Sequence, residues 1–223
     1  MIIAVEGLDG VGKTTLAKKL AERLGAFYVR ALDRSSKHLL LSTRDPNEQA
    51  RIVYTSLAPK AVWCSKPHIV CVFDRYAYSL AYQLAQGANP EYIAELIAKL
   101  PRPELLIFIH GGRVDWLNIH PNIIYMYYNA LLDLAPPHHV VHIPFEDALR
   151  MTVDELLVYA VRIVRCKALE RYINGIDVVD VALSMLAKEL VSLTMAARIA
   201  GMNVFDFIDE GLRRGVVVLT PRI

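Results

Sequence analysis

The chain has 223 residues, of which 54% are hydrophobic and 22% are charged, and its 25 Lys and Arg against 23 Asp and Glu give a net charge of +2. This length suits one α/β domain with a small addition, and the apolar content suffices for a core, which excludes a disordered chain. The near-neutral charge lacks the basic excess that binding to a nucleic-acid backbone requires, so we expect no nucleic-acid and no membrane partner.

Short β-branched apolar runs alternate with segments of helical periodicity along most of the chain. The predicted strands are 2–5, 27–31, 69–73, 105–109 and 139–143, and the predicted helices are 13–24, 46–64, 78–86, 90–100, 123–134 and one that begins near Thr152. Thr152 and Glu155 have the spacing of a capping box. This alternation is typical of βαβ units around a parallel sheet that is covered on both faces.

Residues 171–223 differ in texture, since they carry six basic and six acidic residues and read as helical. A long amphipathic helix is predicted over 178–200, with Gly201 as its stop, and another over 204–212. The segment 196–208 is similar in pattern to a helix-turn-helix, but its surroundings have no net charge, which argues against DNA contact. We expect a small helical appendage that packs against the core or a second subunit.

The cysteines and the apolar segments indicate a compartment. Cys64, Cys71 and Cys166 are an odd number without metal-ligand spacing, which predicts reduced thiols. The first six residues have no basic region and end at an acid, so we expect no secretory signal. The longest charge-free stretch, 116–132, is interrupted by polar residues and prolines and is not expected to span a bilayer. These features predict a cytoplasmic protein.

The sequence GLDGVGKT at 7–14 satisfies G-x-x-x-x-G-K-[ST] and lies between a predicted strand and a predicted helix. Glycines at this spacing let backbone N–H groups turn inward around an anion, and the helix N-terminus adds partial positive charge. Lys13 is then expected to reach the β and γ phosphate oxygens of ATP, and the Thr14 hydroxyl to hold Mg²⁺. The predicted cofactor-binding residues are Gly7, Asp9, Gly10, Val11, Gly12, Lys13, Thr14 and Thr15.

A P-loop also needs an acid to place the metal, normally at the end of a neighbouring hydrophobic strand. The apolar run 69–73 ends at Asp74, which we predict to act with Thr14 as a metal ligand. Arg75 follows directly, and a guanidinium beside a phosphate site suits an acceptor phosphate better than a structural ion pair. Lys13, Asp74 and Arg75 are therefore predicted catalytic residues.

Three ordered segments resemble the thymidylate kinase family of P-loop nucleoside monophosphate kinases. They are EGLDGVGKTT at 6–15, TRDP at 43–46, and DRY at 74–76 followed by SLAYQ at 79–83. The resemblance implies a P-loop kinase-type parallel five-stranded sheet flanked by helices over residues 1–170, with 171–223 as a small C-terminal helical appendage. It further implies ATP and Mg²⁺ as cofactors, a homodimer, and phosphorylation of a deoxynucleoside monophosphate, namely dTMP.

The same resemblance implies roles for individual residues around the acceptor. Asp9 is expected to accept a hydrogen bond from the deoxyribose 3′-hydroxyl, and Arg75 to bind the acceptor phosphate. The remaining expected substrate contacts are Ser79 and Gln83 near the base, Tyr82 beside the ribose, and Arg44 near the acceptor.

Two departures from the family pattern leave alternatives open. The segment 46–74 is much shorter than in the family and lacks the Phe and Arg that face thymine. The predicted lid, 111–122, has Arg113 as its one basic residue, without the further arginines of the family. We expect Arg113 to stabilise the transferring phosphoryl group, either alone or with help from another residue or subunit; otherwise transfer is slow. The alternatives are a kinase for another nucleoside or nucleotide, and a nucleotide-binding regulatory or interaction protein with weak transfer activity.

Overall fold

The computed structural model describes residues 1–111 and 120–216. Within them, five parallel strands form one sheet in the order β2-β3-β1-β4-β5. The strands are β1 (Ile2–Gly7), β2 (Phe27–Arg30), β3 (Cys71–Asp74), β4 (Leu105–His110) and β5 (His139–Pro144). The central strand β1 places Val5 opposite Asp74 on β3 and Gly7 opposite Ile109 on β4. The predicted five-stranded parallel sheet is confirmed.

The chain divides into two compact units between Phe145 and Glu146. The helices of the first unit are α1 (Lys13–Leu24), α2 (Arg34–Ser42), α3 (Pro46–Cys64), α4 (Ala81–Ala85), α5 (Pro90–Ala98) and α6 (Pro121–Leu134). A 3₁₀ turn, Ala77–Leu80, leads into α4. Helix α2 was not predicted from the sequence; none of its residues is fully buried, although Leu40 packs against the core of the first unit.

The core of the first unit explains why β1 lies at the centre of the sheet. All six residues of β1 are buried. Because helices cover both faces of a parallel sheet, its central strands consist almost entirely of apolar residues. Leu57 on α3, Phe73 on β3 and Phe108 on β4 belong to the same buried cluster. Glu6 is the exception, a fully buried carboxylate within an apolar strand. Such a residue needs compensating partners, since an uncompensated buried charge is strongly destabilising.

The cysteine prediction was wrong for two of the three residues. Cys64 at the end of α3 and Cys71 at the start of β3 form a disulfide, with Cα atoms 5.9 Å apart. Cys166 lies outside this bond and is buried. The sequence shows the spacing of the two cysteines but not that the chain turns back between them, which is what brings them within disulfide range.

The second unit is helical throughout its described secondary structure. After α7 (Phe145–Arg150), which begins at the boundary, come α8 (Val153–Arg162), a 3₁₀ segment Lys167–Tyr172, α9 (Val178–Ala187), α10 (Leu193–Ala200) and α11 (Val204–Arg213). The capping box predicted at Thr152 and Glu155 is present. The division predicted at residue 170 stays a prediction. None of the helices in residues 1–111 and 120–216 is long and apolar enough to cross a bilayer.

The single helix predicted over 178–200 was wrong, because the chain breaks it into α9 and α10. Glu189 has a left-handed backbone with φ of 57°, which ends the first helix. Ser192 then caps the second by accepting a hydrogen bond from the backbone N–H of Met195. The apolar periodicity did not reveal this break, because the apolar positions of both helices fall in one continuous pattern. The predicted stop at Gly201 is confirmed, where φ is 74°.

Candidate active site

The loop between β1 and α1 has the backbone that its glycines predict. Gly7 has φ of 141°, and a Cβ at this position would collide with the carbonyl oxygen of Ile109 on β4. Gly12, the N-cap of α1, has φ of 79° in the left-handed region. These conformations are readily available only to glycine. The loop therefore turns from the end of β1 into the N-terminus of α1, which is a ready-made anion site.

Lys13, the first residue of α1, folds back over this loop. Its Nζ donates a hydrogen bond to the carbonyl oxygen of Leu8, and the residue is buried. Burial lowers the pKa of Lys13 to about 8, and the neighbouring positive charge of Arg75 acts in the same direction. Phosphate oxygens binding here would supply the compensating negative charge and favour the protonated amine.

Thr14 and Asp74 meet at the end of β3. The Thr14 Oγ1 donates to Asp74 Oδ2 at 2.6 Å, and the Tyr28 hydroxyl from β2 donates to the same oxygen at 2.9 Å. Hydroxyl and carboxylate oxygens are the ligands that Mg²⁺ prefers, and Mg²⁺ usually keeps several waters and needs few protein ligands. These two residues therefore fit the predicted metal site. Their role as ligands stays a prediction.

Arg75 follows Asp74 in a left-handed conformation, with φ of 68°. Its backbone N–H donates to the carbonyl oxygen of Val5 at 3.1 Å, and its side chain forms an ion pair with Asp9 in the P-loop. The guanidinium lies 5.3 Å over the ring of Tyr82 and 3.4 Å from Ser79 Oγ. The positive charge predicted to bind the acceptor phosphate is thus held next to the P-loop.

Glu6 is the site residue that the sequence reasoning missed. Its two carboxylate oxygens accept hydrogen bonds from the backbone N–H of Tyr76 at 2.7 Å, from the N–H and the hydroxyl of Ser79, and from the Tyr128 hydroxyl at 3.2 Å. Burial raises the pKa of Glu6, while the nearby Arg75 and these donors oppose that shift. The available signal was an acid in an otherwise apolar buried strand, since Glu is almost never fully buried unless it is paired.

The remaining predicted residues occupy different places. Tyr82 and Gln83 are buried on α4. Ser79 lies in the 3₁₀ turn, where its hydroxyl is within hydrogen-bond distance of both Arg75 and Glu6. Arg44 is exposed between α2 and α3, and no hydrogen bond or ion pair of the described residues links it to this group. Arg113 lies in residues 112–119, outside the described residues. Within the P-loop segment, Gly10 has a left-handed backbone, Val11 is buried and Thr15 is exposed on α1.

Comparison with known proteins gives partial matches to thymidylate kinases. The chain is 30% identical over 118 residues to a probable thymidylate kinase of Methanococcus maripaludis, which covers 48% of this chain and 58% of that protein. It is 32% identical over 118 residues to the probable thymidylate kinase of Sulfurisphaera tokodaii, covering 48% of this chain and 62% of that protein. The matches therefore span about three fifths of these relatives' lengths. No family profile matches the chain.

Among solved structures, the thymidylate kinase of Ehrlichia chaffeensis is similar in fold, with a TM-score of 0.50. That likeness covers 65% of this chain and 86% of the other at 23% sequence identity. The sheet order and the strand–loop–helix turn at Gly7–Lys13 define the class: the chain has the P-loop kinase fold. Its sequence similarity lies with the thymidylate kinases, which confirms the resemblance that the motifs indicated.

Proposed function

We propose that this chain transfers the γ-phosphoryl group of ATP to a deoxynucleoside monophosphate, with dTMP as the acceptor. The observation that carries the proposal is the position of Arg75. Its guanidinium is held at the carboxyl end of β3, paired with Asp9 of the P-loop. A planar guanidinium beside a phosphate-binding loop is suited to bind a second phosphate by paired hydrogen bonds. Relatives named thymidylate kinases support thymidylate as the acceptor.

The residues around the loop divide the work by charge. Lys13 and the N-terminus of α1 would bind the oxygens of the transferred phosphoryl group. Thr14 and Asp74 would hold Mg²⁺, which when bound neutralises charge on the β and γ phosphates. Arg75 would hold the acceptor phosphate in line with the leaving group, so that positioning and electrostatic stabilisation supply the catalysis. Arg113 is retained in the proposal as the cation that stabilises the transferring group.

The carboxylates at this site favour a monophosphate acceptor over a nucleoside. A nucleoside hydroxyl requires a general base within hydrogen-bond reach, whereas the phosphate of a monophosphate is already ionised and requires a cation. Asp74 binds Thr14 and Tyr28, Asp9 pairs with Arg75, and Glu6 has both oxygens occupied. Asp74 and Glu6 would thus have to give up hydrogen bonds to act as a general base, while the guanidinium of Arg75 supplies a cation beside the P-loop.

The acceptor side of the proposal rests on α4 and the turn before it. Ser79 and Gln83 would face the base, Tyr82 would exclude a 2′-hydroxyl, and Asp9 would bind the 3′-hydroxyl. Arg44 is proposed as a further acceptor contact, although its side chain is exposed in the structure. The homodimer that the resemblance implies stays a prediction, and so does the cytoplasmic location that the sequence features indicate.

A panel of acceptors tests the proposal directly. Release of ADP from MgATP would be measured with dTMP, the other deoxynucleoside monophosphates, ribothymidine monophosphate, and thymidine. We expect dTMP to give the highest kcat/KM and thymidine to give no turnover above the rate without acceptor. Turnover confined to a nucleoside would show a nucleoside kinase. Tight binding of MgATP without turnover on any acceptor would instead support the regulatory or interaction protein.

A further inference from the structure

We infer that Glu6 is the positioning residue that fixes the turn carrying Arg75. The effect on the acceptor rests on the proposed function, whereas the effect on the turn rests only on hydrogen bonds within this chain. Glu6 lies on β1, and every one of its hydrogen-bond donors lies on another element of the first unit. The carboxylate therefore joins the central strand to the segment that follows β3.

The bonds converge on one short segment. Glu6 Oε1 accepts from the backbone N–H of Tyr76 at 2.7 Å and of Ser79 at 3.1 Å, and Oε2 accepts from the Ser79 hydroxyl at 2.8 Å. Arg75 precedes this segment directly, and its left-handed φ of 68° is uncommon for a residue with a side chain. A backbone of this kind persists only where its surroundings over-determine it. The Glu6 carboxylate supplies that determination on one side, and the Arg75 N–H bond to Val5 supplies it on the other.

The Tyr128 hydroxyl is the fourth hydrogen-bond donor to the Glu6 carboxylate. It donates to Glu6 Oε2 at 3.2 Å from the fully buried ring of Tyr128 on α6. Four donors thus occupy the two oxygens of a carboxylate with no solvent exposure. A group in this state cannot approach a substrate proton, so Glu6 acts through Arg75 and does not act as a general base.

Two substitutions separate the reach of Glu6 from its charge. Glu6→Gln keeps the length and one carbonyl oxygen for the two N–H donors, and the Ser79 and Tyr128 hydroxyls can rotate to accept from the new amide. Glu6→Asp keeps the charge but shortens the side chain by one methylene, which withdraws the oxygens from both N–H groups. If Glu6 acts by geometry, the Gln variant is expected to behave like the natural chain and the Asp variant is expected to fail.

The readouts are the KM for dTMP, the KM for ATP and the hydrogen exchange of the Tyr76 and Ser79 amides. In Glu6→Asp we expect the dTMP KM to rise about tenfold or more, because a misplacement of about 1 Å can cost a hundredfold in an active site, with the ATP KM within about twofold. The two amides should exchange faster. In Glu6→Gln all three quantities should stay near their natural values. The opposite pattern, a failing Gln variant whose two amides remain protected, would overturn the inference in favour of a charge or proton role.

Glu155 offers a matched control. It is also a buried carboxylate, and its oxygens accept from a backbone N–H, from Ser184 Oγ and from Lys188 Nζ, all within the second unit. Glu155→Asp and Glu155→Gln should leave the dTMP KM and the exchange of Tyr76 and Ser79 unchanged. If Glu6→Asp does not fold, the Glu6→Gln variant alone tests the inference. A normal dTMP KM with protected amides supports it, and a raised dTMP KM with protected amides overturns it. If the natural chain phosphorylates no acceptor, the proposed function fails, while amide exchange still decides whether Glu6 holds the turn.

Discussion

Thr14 and Asp74 lie 60 residues apart in the chain and are joined by a 2.6 Å hydrogen bond. They meet because β1 and β3 are parallel neighbours, so the residues that follow their carboxyl ends share one edge of the sheet. The strand order places β1 between β3 and β4, and ligands of open α/β sheets bind beyond the carboxyl ends of the strands where the order reverses. The bond therefore marks the place where we expect nucleotide and metal.

Substitution of Asp74 should weaken the response to Mg²⁺. In Asp74→Asn the oxygen that binds Thr14 loses its charge, so the Mg²⁺ concentration for half-maximal turnover should rise by about tenfold or more, as for losses around other metal ligands. A magnesium titration at constant ATP measures this shift. Thr14→Ser retains the hydroxyl and serves as the control, and a normal Mg²⁺ requirement in Asp74→Asn would remove Asp74 from the metal site.

Arg75→Ala should separate acceptor use from ATP binding. Because the guanidinium supplies the cation for the acceptor phosphate, dTMP-dependent turnover should fall by about 10²- to 10³-fold, the scale of a lost preorganised donor. Binding of MgATP, measured by calorimetry, should change by less than about threefold. Arg213→Ala removes an exposed arginine that pairs with Glu210 and should change neither quantity. Equal loss of ATP binding and turnover in Arg75→Ala would contradict the assignment.

The pKa of Lys13 predicts a pH dependence for the capture of ATP. Burial lowers this pKa to about 8, so the amine is charged below that pH and neutral above it. Since kcat/KM reports the ionisation of the free enzyme, kcat/KM for ATP should fall as the pH rises above about 8. Lys13→Arg provides the control, because a guanidinium stays protonated throughout this range and its profile should lack the fall. A flat profile in the natural chain up to pH 10 would show that the amine is not required in its charged form.

The sequence was sufficient where a residue type is tied to one local conformation. Gly7 and Gly12 have the positive φ values that the motif requires, and Asp74 ends its strand beside Thr14 as expected. It was insufficient where distant segments determine the outcome. The partners of Glu6 come from two distant parts of the chain, the segment 76–79 and Tyr128, and no spacing in the sequence indicates that they converge. Ser79 was expected at the base, but its N–H and its hydroxyl both donate hydrogen bonds to Glu6, which nothing in the sequence indicated.

The disulfide between Cys64 and Cys71 predicts fewer free thiols than the three reduced cysteines expected from the sequence. Unfolded without reductant, the chain should show one reactive thiol, that of Cys166, and after reduction all three cysteines should react. Titration with a thiol reagent in denaturant measures both states. Three thiols before reduction would show that the bond does not form in the protein as isolated.

The same bond should resist reduction while the protein is folded and contribute to its stability. Exchange requires a thiolate to reach one of the sulfurs, and both cysteines are fully buried at the junction of α3 and β3. Reductant should therefore act slowly on the native protein and quickly in denaturant. Once reduced, the protein should lose about 2 kcal/mol of unfolding free energy, because the bond no longer constrains a short loop of the unfolded chain. A Cys64→Ala/Cys71→Ala variant with an unchanged urea midpoint would show that this constraint contributes nothing.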